Sequence, residues 1–321
     1  MSLRRATIVA LALAIDWRLG DPPTAAHPVG WVGRAAAFAL RRAPSSARGR
    51  LRYGIVAPGA ILAGAGLSAF ALERAARRLP GPLALGLEAG ALSLTFALAS
   101  LLRHAEEVED ALNAGDLDEA RALVGRHLVS RDTANLDGAH VAAATIESLA
   151  ENLSDGVVAP LLAYAVGGLP GALVYRAANT LDSLWGYRTP EFLALGRHVA
   201  RLDDALNLVP ARVSAAALVA ATLLRGGSLT DARRALDVWL DEGDFTPSPN
   251  AGQPMGAMAG ALGVELEKAG AYRLGSGLPL PRAADIARAR ALVLDAAVVV
   301  AGVLVTALVI REVARDQGAP S

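Results

Sequence analysis

A chain of 321 residues is long enough for two ordinary domains or for one helical membrane domain with decorated loops. Its composition favours the second: 53% hydrophobic and 19% charged with mean hydropathy +0.37, against roughly 45–50% and about 25% in soluble domains. Basic and acidic residues number 31 each, so the basic excess of a nucleic-acid binder is missing; the lack of cysteine excludes disulfides and thiolate chemistry, and Lys268, the single lysine, excludes a Walker A motif.

The first apolar run, Ala6–Ile15, follows Arg4 and Arg5. Ala12 and Ala14 imitate a signal-peptide cleavage site, but the run is short for that role and Asp16 follows at once, which favours a retained interfacial or short membrane helix. Asp16, Asp21, His27 and Pro28 then lie in a Pro-rich stretch, where the setting of His27 makes it a candidate site residue. Gly54–Leu72 and Leu83–Leu102 are each close to the length needed to cross hydrocarbon, and the Leu79–Pro82 turn joins them as a helical hairpin. Gly86 and Gly90 have the spacing that lets another helix approach. Glu88 must face protein rather than lipid, with a local partner for its carboxyl. Arginines 41, 42, 48, 50 and 52 outnumber 74, 77 and 78 across the first full span, which puts the 41–52 loop and the segment after Leu102 on the cytoplasmic side.

Leu101–Arg126 is acidic and amphipathic and reads as solvated helices broken near Gly115. A helix is expected from about Leu136 to Asn152. Within it Glu147 and Glu151 share a face, and Asp155 continues the stripe if the helix persists. No Lys or Arg lies between Arg131 and Arg176, so these carboxylates need a divalent cation or a more distant arginine. Val157–Tyr175 is long enough to span but is interrupted by Gly167, Gly168, Pro170 and Gly171. Two half-helices in a re-entrant or buried hairpin over 157–183 fit this better than one straight span.

Arg176, Asn179 and Ser183 fall on one helical stripe flanked by Asp182, a set suited to gripping an anion. Arg201, Asp203, Asp204, Asn207 and Arg212 follow. Asp203 and Asn207, four apart, could share an oxygen-ligand site with Glu151 and Asp155. Ala205–Leu224 contains Pro210 and Arg212, so only its second half reads as lipid-facing. Ser248–Pro254, with Asn250, is a turn-rich loop before Met255–Val264, where Gly256 and Gly260 repeat the small-residue spacing. Ala291–Ile310 is the clearest span, interrupted only by Asp295. The histidines other than His27 are scattered without metal-ligand spacing. The whole is an all-α, polytopic membrane protein, a single domain over 1–321.

In these motifs the chain resembles the cobinamide-phosphate synthase family of cobalamin biosynthesis, which is integral to the membrane. The resemblance runs through Asp16, Gly20–Pro22 and His27–Pro28, then Ser130–Thr133, Glu147–Asn152, Asp155–Gly156 and Ala159–Pro160. It continues through Gly168–Gly171, Tyr175–Arg176, Asn179–Ser183, Gly186–Tyr187, Arg201, Asp203–Asp204, Asn207, Pro210–Arg212, Ser248–Asn250 and Ala257–Gly260. Ser130 departs from the glycine more usual before Arg-Asp-Thr.

The resemblance implies a ligase that uses ATP and Mg²⁺ to join adenosylcobyric acid to aminopropanol or its phosphate. It implies Glu147, Glu151, Asp155 and His27 as catalytic residues, and Glu151, Asp155, Asp203 and Asp204 as metal ligands. Arg176, Asn179, Asp182, Ser183, Arg201, Arg212 and Asn250 would bind nucleotide or substrate. The expected setting is a multi-pass protein of the bacterial inner membrane with its site facing the cytoplasm, in contact with lipid and other cobalamin-assembly enzymes and with no nucleic acid. A non-catalytic membrane sensor of related architecture is the alternative; a transporter fits less well, because it would not require polar motifs in several separate loops.

Overall fold

A computed structural model describes residues 2–23, 27–187 and 189–318. In chain order they form α1 (Ser2–Leu19), α2 (Pro28–Leu40), α3 (Ala47–Ala76), α4 (Gly81–Ser93), α5 (Leu98–Asn113), α6 (Leu117–His127), α7 (Gly138–Leu153), a π-helical turn (Ser154–Val158) and α8 (Ala159–Trp185). Then come α9 (Arg197–Leu224), α10 (Leu229–Glu242), α11 (Gly252–Leu262), β1 (Leu266–Lys268), β2 (Tyr272–Leu274) and α12 (Ala283–Gly318). The fold is all-α apart from one small hairpin.

Among the described residues, four helical stretches are long and apolar enough to cross a membrane: Ala47–Ala76, Gly138–Trp185, Arg197–Leu224 and Ala283–Arg311. The single span expected over Leu83–Leu102 is interrupted instead. Helix α4 ends at Ser93, where Thr95 N–H and its hydroxyl both bond the Leu92 carbonyl and Phe96 N–H bonds that of Ser93. These short i→i−3 bonds tighten the last turn and close the helix; α5 begins anew at Leu98.

The chain groups into two compact units. The first contains residues 1–97, 159–207 and 303–321. In it α1 packs on α4, burying Ile8, Val9 and Ala12. Glu88 on α4 is 3% exposed and takes a two-pronged bond from Arg4, at 2.7 and 2.8 Å. Its partner is 84 positions away rather than local, and satisfies a carboxylate that would be costly alone. Gly86 and Gly90, by contrast, have nothing within 4 Å of where a side chain would project. The packed face of α4 is that of Ala84, Glu88 and Ala89. A core of Ala36, Ala39, Ala57, Leu181, Trp185, Leu195 and Val199 joins α2, α3, α8 and the start of α9.

Helix α8 is two half-helices meeting at Gly168, whose φ of 64° and ψ of −157° suit only glycine. The Glu73 carboxylate accepts the Leu169 N–H at 3.0 Å, capping the second half-helix. The chain doubles back so tightly that a Cβ on Gly171 would overlap the Ala163 carbonyl. The helical hairpin expected around Gly-Gly-Leu-Pro-Gly is present. Pro210, expected to bound the apolar half of α9, does not break that helix. One stripe, including Asp203, Asn207, Ala211, Ser214, Leu218 and Ala221, is buried along the whole length of α9, so its second half is not simply lipid-facing.

The second unit contains residues 98–158 and 208–302. Its centre is α7, in which every residue from Val141 to Ala150 is buried. Asp137 caps it by accepting the His140 N–H, and those bonds hold the Asp137 carboxyl below its ordinary range. The acidic helices α5 and α6 are solvated as expected, except that Arg290 gathers Glu106 and Glu109 at 2.8 and 3.0 Å. Asp295 in the last span pairs with Arg225 at 2.6 Å. Helices α10 and α11 meet closely, and a Cβ on Gly260 would overlap the Arg234 carbonyl. Gly260→Ala is therefore expected to cost about 1–2 kcal/mol by overpacking, and Gly302→Ala, in open space, almost nothing. Thermal unfolding of the two variants in detergent checks this.

Candidate functional site

The second unit holds a polar cavity of about 240 Å³. Three pieces of chain build it: the loop Leu128–Arg131 after α6, the Glu147–Glu151 face of α7, and the β1–β2 hairpin. The hairpin pairs Leu266 with Leu274, Glu267 with Arg273 and Lys268 with Tyr272. Gly270, at φ 73°, lies in the turn that reverses the chain. Lys268 and Tyr272 therefore stand directly opposite each other, and both line the cavity. Ser148 fixes the loop by donating to the Leu128 carbonyl at 2.9 Å, and Asn152 donates back to Ser148.

Glu147 forms the floor. It is 5% exposed, and Arg131 donates to its Oε2 at 3.0 Å. Its Oε1 is buried and lacks a hydrogen-bond partner, as does Arg131 Nε. Glu151, one helical turn on, is exposed and lines the same cavity. The Tyr272 phenol is pushed up, first by burial and then by the Glu147 and Glu151 charges. It stays protonated and serves as a donor rather than a base.

The carboxylates expected to lack a local cation are thus answered by Arg131, sixteen positions before Glu147, and by Lys268. Asp155 does not line this cavity. The helix persists beyond Leu153, but as the π turn Ser154–Val158, which changes the angle per residue and takes Asp155 off the stripe. The Ser154 hydroxyl in the same turn is buried without a partner.

The first unit holds the other expected residues. A hydrogen-bond chain runs from the Tyr175 hydroxyl to Asn207 Oδ1 (2.8 Å) and from Asn207 Nδ2 to Asp203 Oδ2 (2.9 Å). It continues from Asn179 Nδ2 to Asp203 Oδ1 and from Arg176 to Asn179 Oδ1, both at 3.4 Å. Both Asp203 oxygens already accept amide protons. Arg176 Nε is buried and unpartnered, and Arg176 borders an apolar cavity of about 620 Å³ among α2, α3 and α8. Ser183 is exposed and donates to the Asn179 carbonyl, and Asp182 lies on the same helix. Asp204 adjoins Asp203, while Glu151 and Asp155 belong to the second unit.

Four other expected residues have plainer settings. His27 caps α2: its Nδ1 accepts the Val29 N–H at 3.1 Å, and its Nε2 lies 3.6 Å from Asp21. With Nδ1 accepting, neutral His27 carries its proton on Nε2 and has no lone pair left for a substrate proton. Arg201 is exposed, and Arg212, also exposed, donates to the Leu208 carbonyl of its own helix. Asn250 is buried in the turn where Ser248 accepts its N–H. The scattered histidines include one pair: His104 and His127 stack with centroids 4.0 Å apart, and Glu107 lies 3.0 Å from His104. The parallel rings point their in-plane lone pairs side by side rather than at one point, so the pair reads as packing.

The family model described as CobD/Cbib protein matches residues 9–310. The chain is 42% identical over 306 residues to the cobalamin biosynthesis protein CobD of Chromobacterium violaceum, covering 91% of this chain and 93% of that one. It is 43% identical over 269 residues to the protein of that name from Sinorhizobium sp, covering 81% of each. With that of Dehalococcoides mccartyi it shares 38% over 269 residues, covering 84% and 86%. No solved structure matches it. The motif series, the apolar helices and a match running almost end to end agree: the chain belongs to the CobD/CbiB family of membrane proteins.

Proposed function

We propose that this protein acts in cobalamin biosynthesis as a ligase, joining the carboxylate of adenosylcobyric acid to aminopropanol or its phosphate at the expense of ATP. The observation that best supports this reading is the cavity at Glu147, in which a buried carboxylate with one unused oxygen meets two cations and a second carboxylate. A sensor has no need of such a costly group.

A carboxylate does not condense with an amine in neutral water until one of its oxygens becomes a leaving group. In the proposed sequence a substrate carboxylate oxygen attacks the γ-phosphorus of ATP and ADP departs. The amine then attacks the acyl carbon, the C–O bond breaks, and inorganic phosphate leaves. Phosphoryl transfer of this kind depends mostly on positioning and charge neutralisation. Glu151 lies exposed at the cavity and suits acceptance of the amine proton, a role that His27 in its capping tautomer does not suit.

The magnesium that accompanies ATP prefers hard oxygen donors. Asp155 and the adjacent unpartnered Ser154 hydroxyl are of that chemistry and would supply them; the Asp203 oxygens, each accepting one amide proton, keep lone pairs of the same kind. Arg176, with its unpartnered Nε, would hold a phosphate or a corrin side chain, with Asn179 positioning it. In this reading the site faces the cytoplasm, where ATP is available.

Incubation with adenosylcobyric acid carrying ¹⁸O in the reacting carboxylate tests the activated intermediate. One labelled oxygen is expected in the released phosphate, and unlabelled phosphate would contradict the acyl-phosphate step.

A further inference from the structure

We infer that the apolar cavity among α2, α3 and α8 is a site for one acyl chain of an anionic membrane phospholipid, whose phosphate is met by arginines where α2 gives way to α3. The inference is independent of the proposed reaction and goes beyond it.

The walls decide the filling. The cavity, about 620 Å³, is lined by Val32, Phe38, Val56, Ile61, Leu173 and small residues between them. Such walls offer water too few partners to hold it, so hydrocarbon is the occupant they favour. Trp31, Phe38 and Val56 line the cavity while half or more exposed, so it opens on the surroundings of α3. Helix α3 is long and apolar enough to cross a membrane, and most of its span is exposed; those surroundings are lipid chains. Along α3 the lining runs from Tyr53 to Ser68, about 22 Å of helix. One leaflet's chains occupy about 15 Å, half of a core about 30 Å thick, so a single chain lies within that length. Arg176 on the α8 wall donates to Asn179 Oδ1, so its stem can line hydrocarbon while its head stays with the polar chain.

The charges decide the head group. No Asp or Glu occurs between Asp21 and Glu73, a stretch that carries Arg34, Arg41, Arg42, Arg48, Arg50 and Arg52. The Tyr53 hydroxyl donates to the Ala39 carbonyl at 3.0 Å and ties the end of α2 to the start of α3. Arg41, Arg42 and Arg52 therefore gather at one end of the cavity, all exposed. The Arg42 guanidinium lies 3.5 Å from the centre of the Phe38 ring, and Phe38 lines the cavity. These arginines stand just outside the apolar run that begins at Gly54, the level at which cations near a membrane surface strengthen binding of anionic lipid. A second copy docked symmetrically through this face would set arginine against arginine, which favours lipid over self-association.

Native mass spectrometry of the full-length protein in mild detergent tests the site with three probes: dioleoyl phosphatidylglycerol, dioleoyl phosphatidylcholine and glycerol 3-phosphate. Wild type is expected to bind one phosphatidylglycerol at least about tenfold more tightly than phosphatidylcholine, and to retain no glycerol phosphate. Gly64 lines the cavity and has nothing within 4 Å of where a side chain would project. Gly64→Phe therefore fills the space without a clash and should weaken phosphatidylglycerol binding by about tenfold or more. Arg42→Gln combined with Arg52→Gln should bring the two lipids to equal affinity. Equal affinity in wild type, or unchanged phosphatidylglycerol binding in Gly64→Phe, would overturn the site. So would glycerol phosphate retained as tightly as the lipid, or a lipid-free dimer that Gly64→Phe abolishes. If Gly64→Phe fails to fold, the exposed arginine pair decides alone: an undiminished preference for phosphatidylglycerol in the double variant would overturn the site.

Discussion

Arg131→Ala is expected to destabilise the protein by about 3–5 kcal/mol, because it leaves the Glu147 carboxylate buried without the cation that bonds it. Glu147 is 5% exposed, so water does not take over, and the neighbouring Tyr272 hydroxyl is a neutral donor that does not replace the cation. Adding Glu147→Gln should recover much of that loss by removing the stranded charge. A double-mutant cycle on chemical unfolding in detergent measures the coupling. Additive losses would mean that the pair is not the energetic unit the 3.0 Å contact indicates. Both single variants should also lose amide formation by about a hundredfold or more, as expected for groups that position and neutralise the reacting atoms.

Gly168→Ala is expected to cost about 3 kcal/mol. The backbone at φ 64° and ψ −157° lies where only glycine rests without strain, a penalty of about 1–3 kcal/mol. The added Cβ would also lie 2.8 Å from Glu73 Oε1, the oxygen that caps Leu169, at a further cost of about 1 kcal/mol for a weakened cap. Gly167→Ala is the control: its position is open, and it should unfold close to wild type. Equal midpoints for the two variants would contradict the assignment of the chain reversal to Gly168.

The sequence patterns that transferred to the fold were those with a local physical cause. Apolar length marked α3 and α12, and the Gly-Gly-Leu-Pro-Gly run marked the hairpin, because Gly168 and Pro170 cannot continue a helix unaided. The spacing of Glu147 and Glu151 put both at one cavity. The same small-residue spacing at Gly86/Gly90 and Gly256/Gly260 had opposite outcomes, since spacing makes a smooth surface but does not supply the neighbour. The interruption after Ser93 was not legible, because hydropathy continues across it and the helix is closed by short local bonds from Thr95 and Phe96. The π turn at Ser154–Val158 likewise has no compositional signature, so the stripe through Asp155 was drawn too far.

Lys268 and Tyr272 were missed as site residues because the helical reading left no place for a three-residue hairpin. The Lys-Ala-Gly-Ala-Tyr turn and the uniqueness of that lysine were the available signals. Arg131 stood in the Ser130–Thr133 motif and at the edge of a stretch without cations but was given no role, although its side chain reaches Glu147.

The most direct measurement is the complete reaction in detergent: purified protein, Mg²⁺–ATP, adenosylcobyric acid and aminopropanol phosphate, with amide, ADP and phosphate followed together. Wild type should form the three products in equal amounts, and Glu151→Gln should be slower by about a hundredfold or more. No ATP-dependent amide from folded wild type, or full activity retained in both Glu151→Gln and Asp155→Asn, would contradict the account.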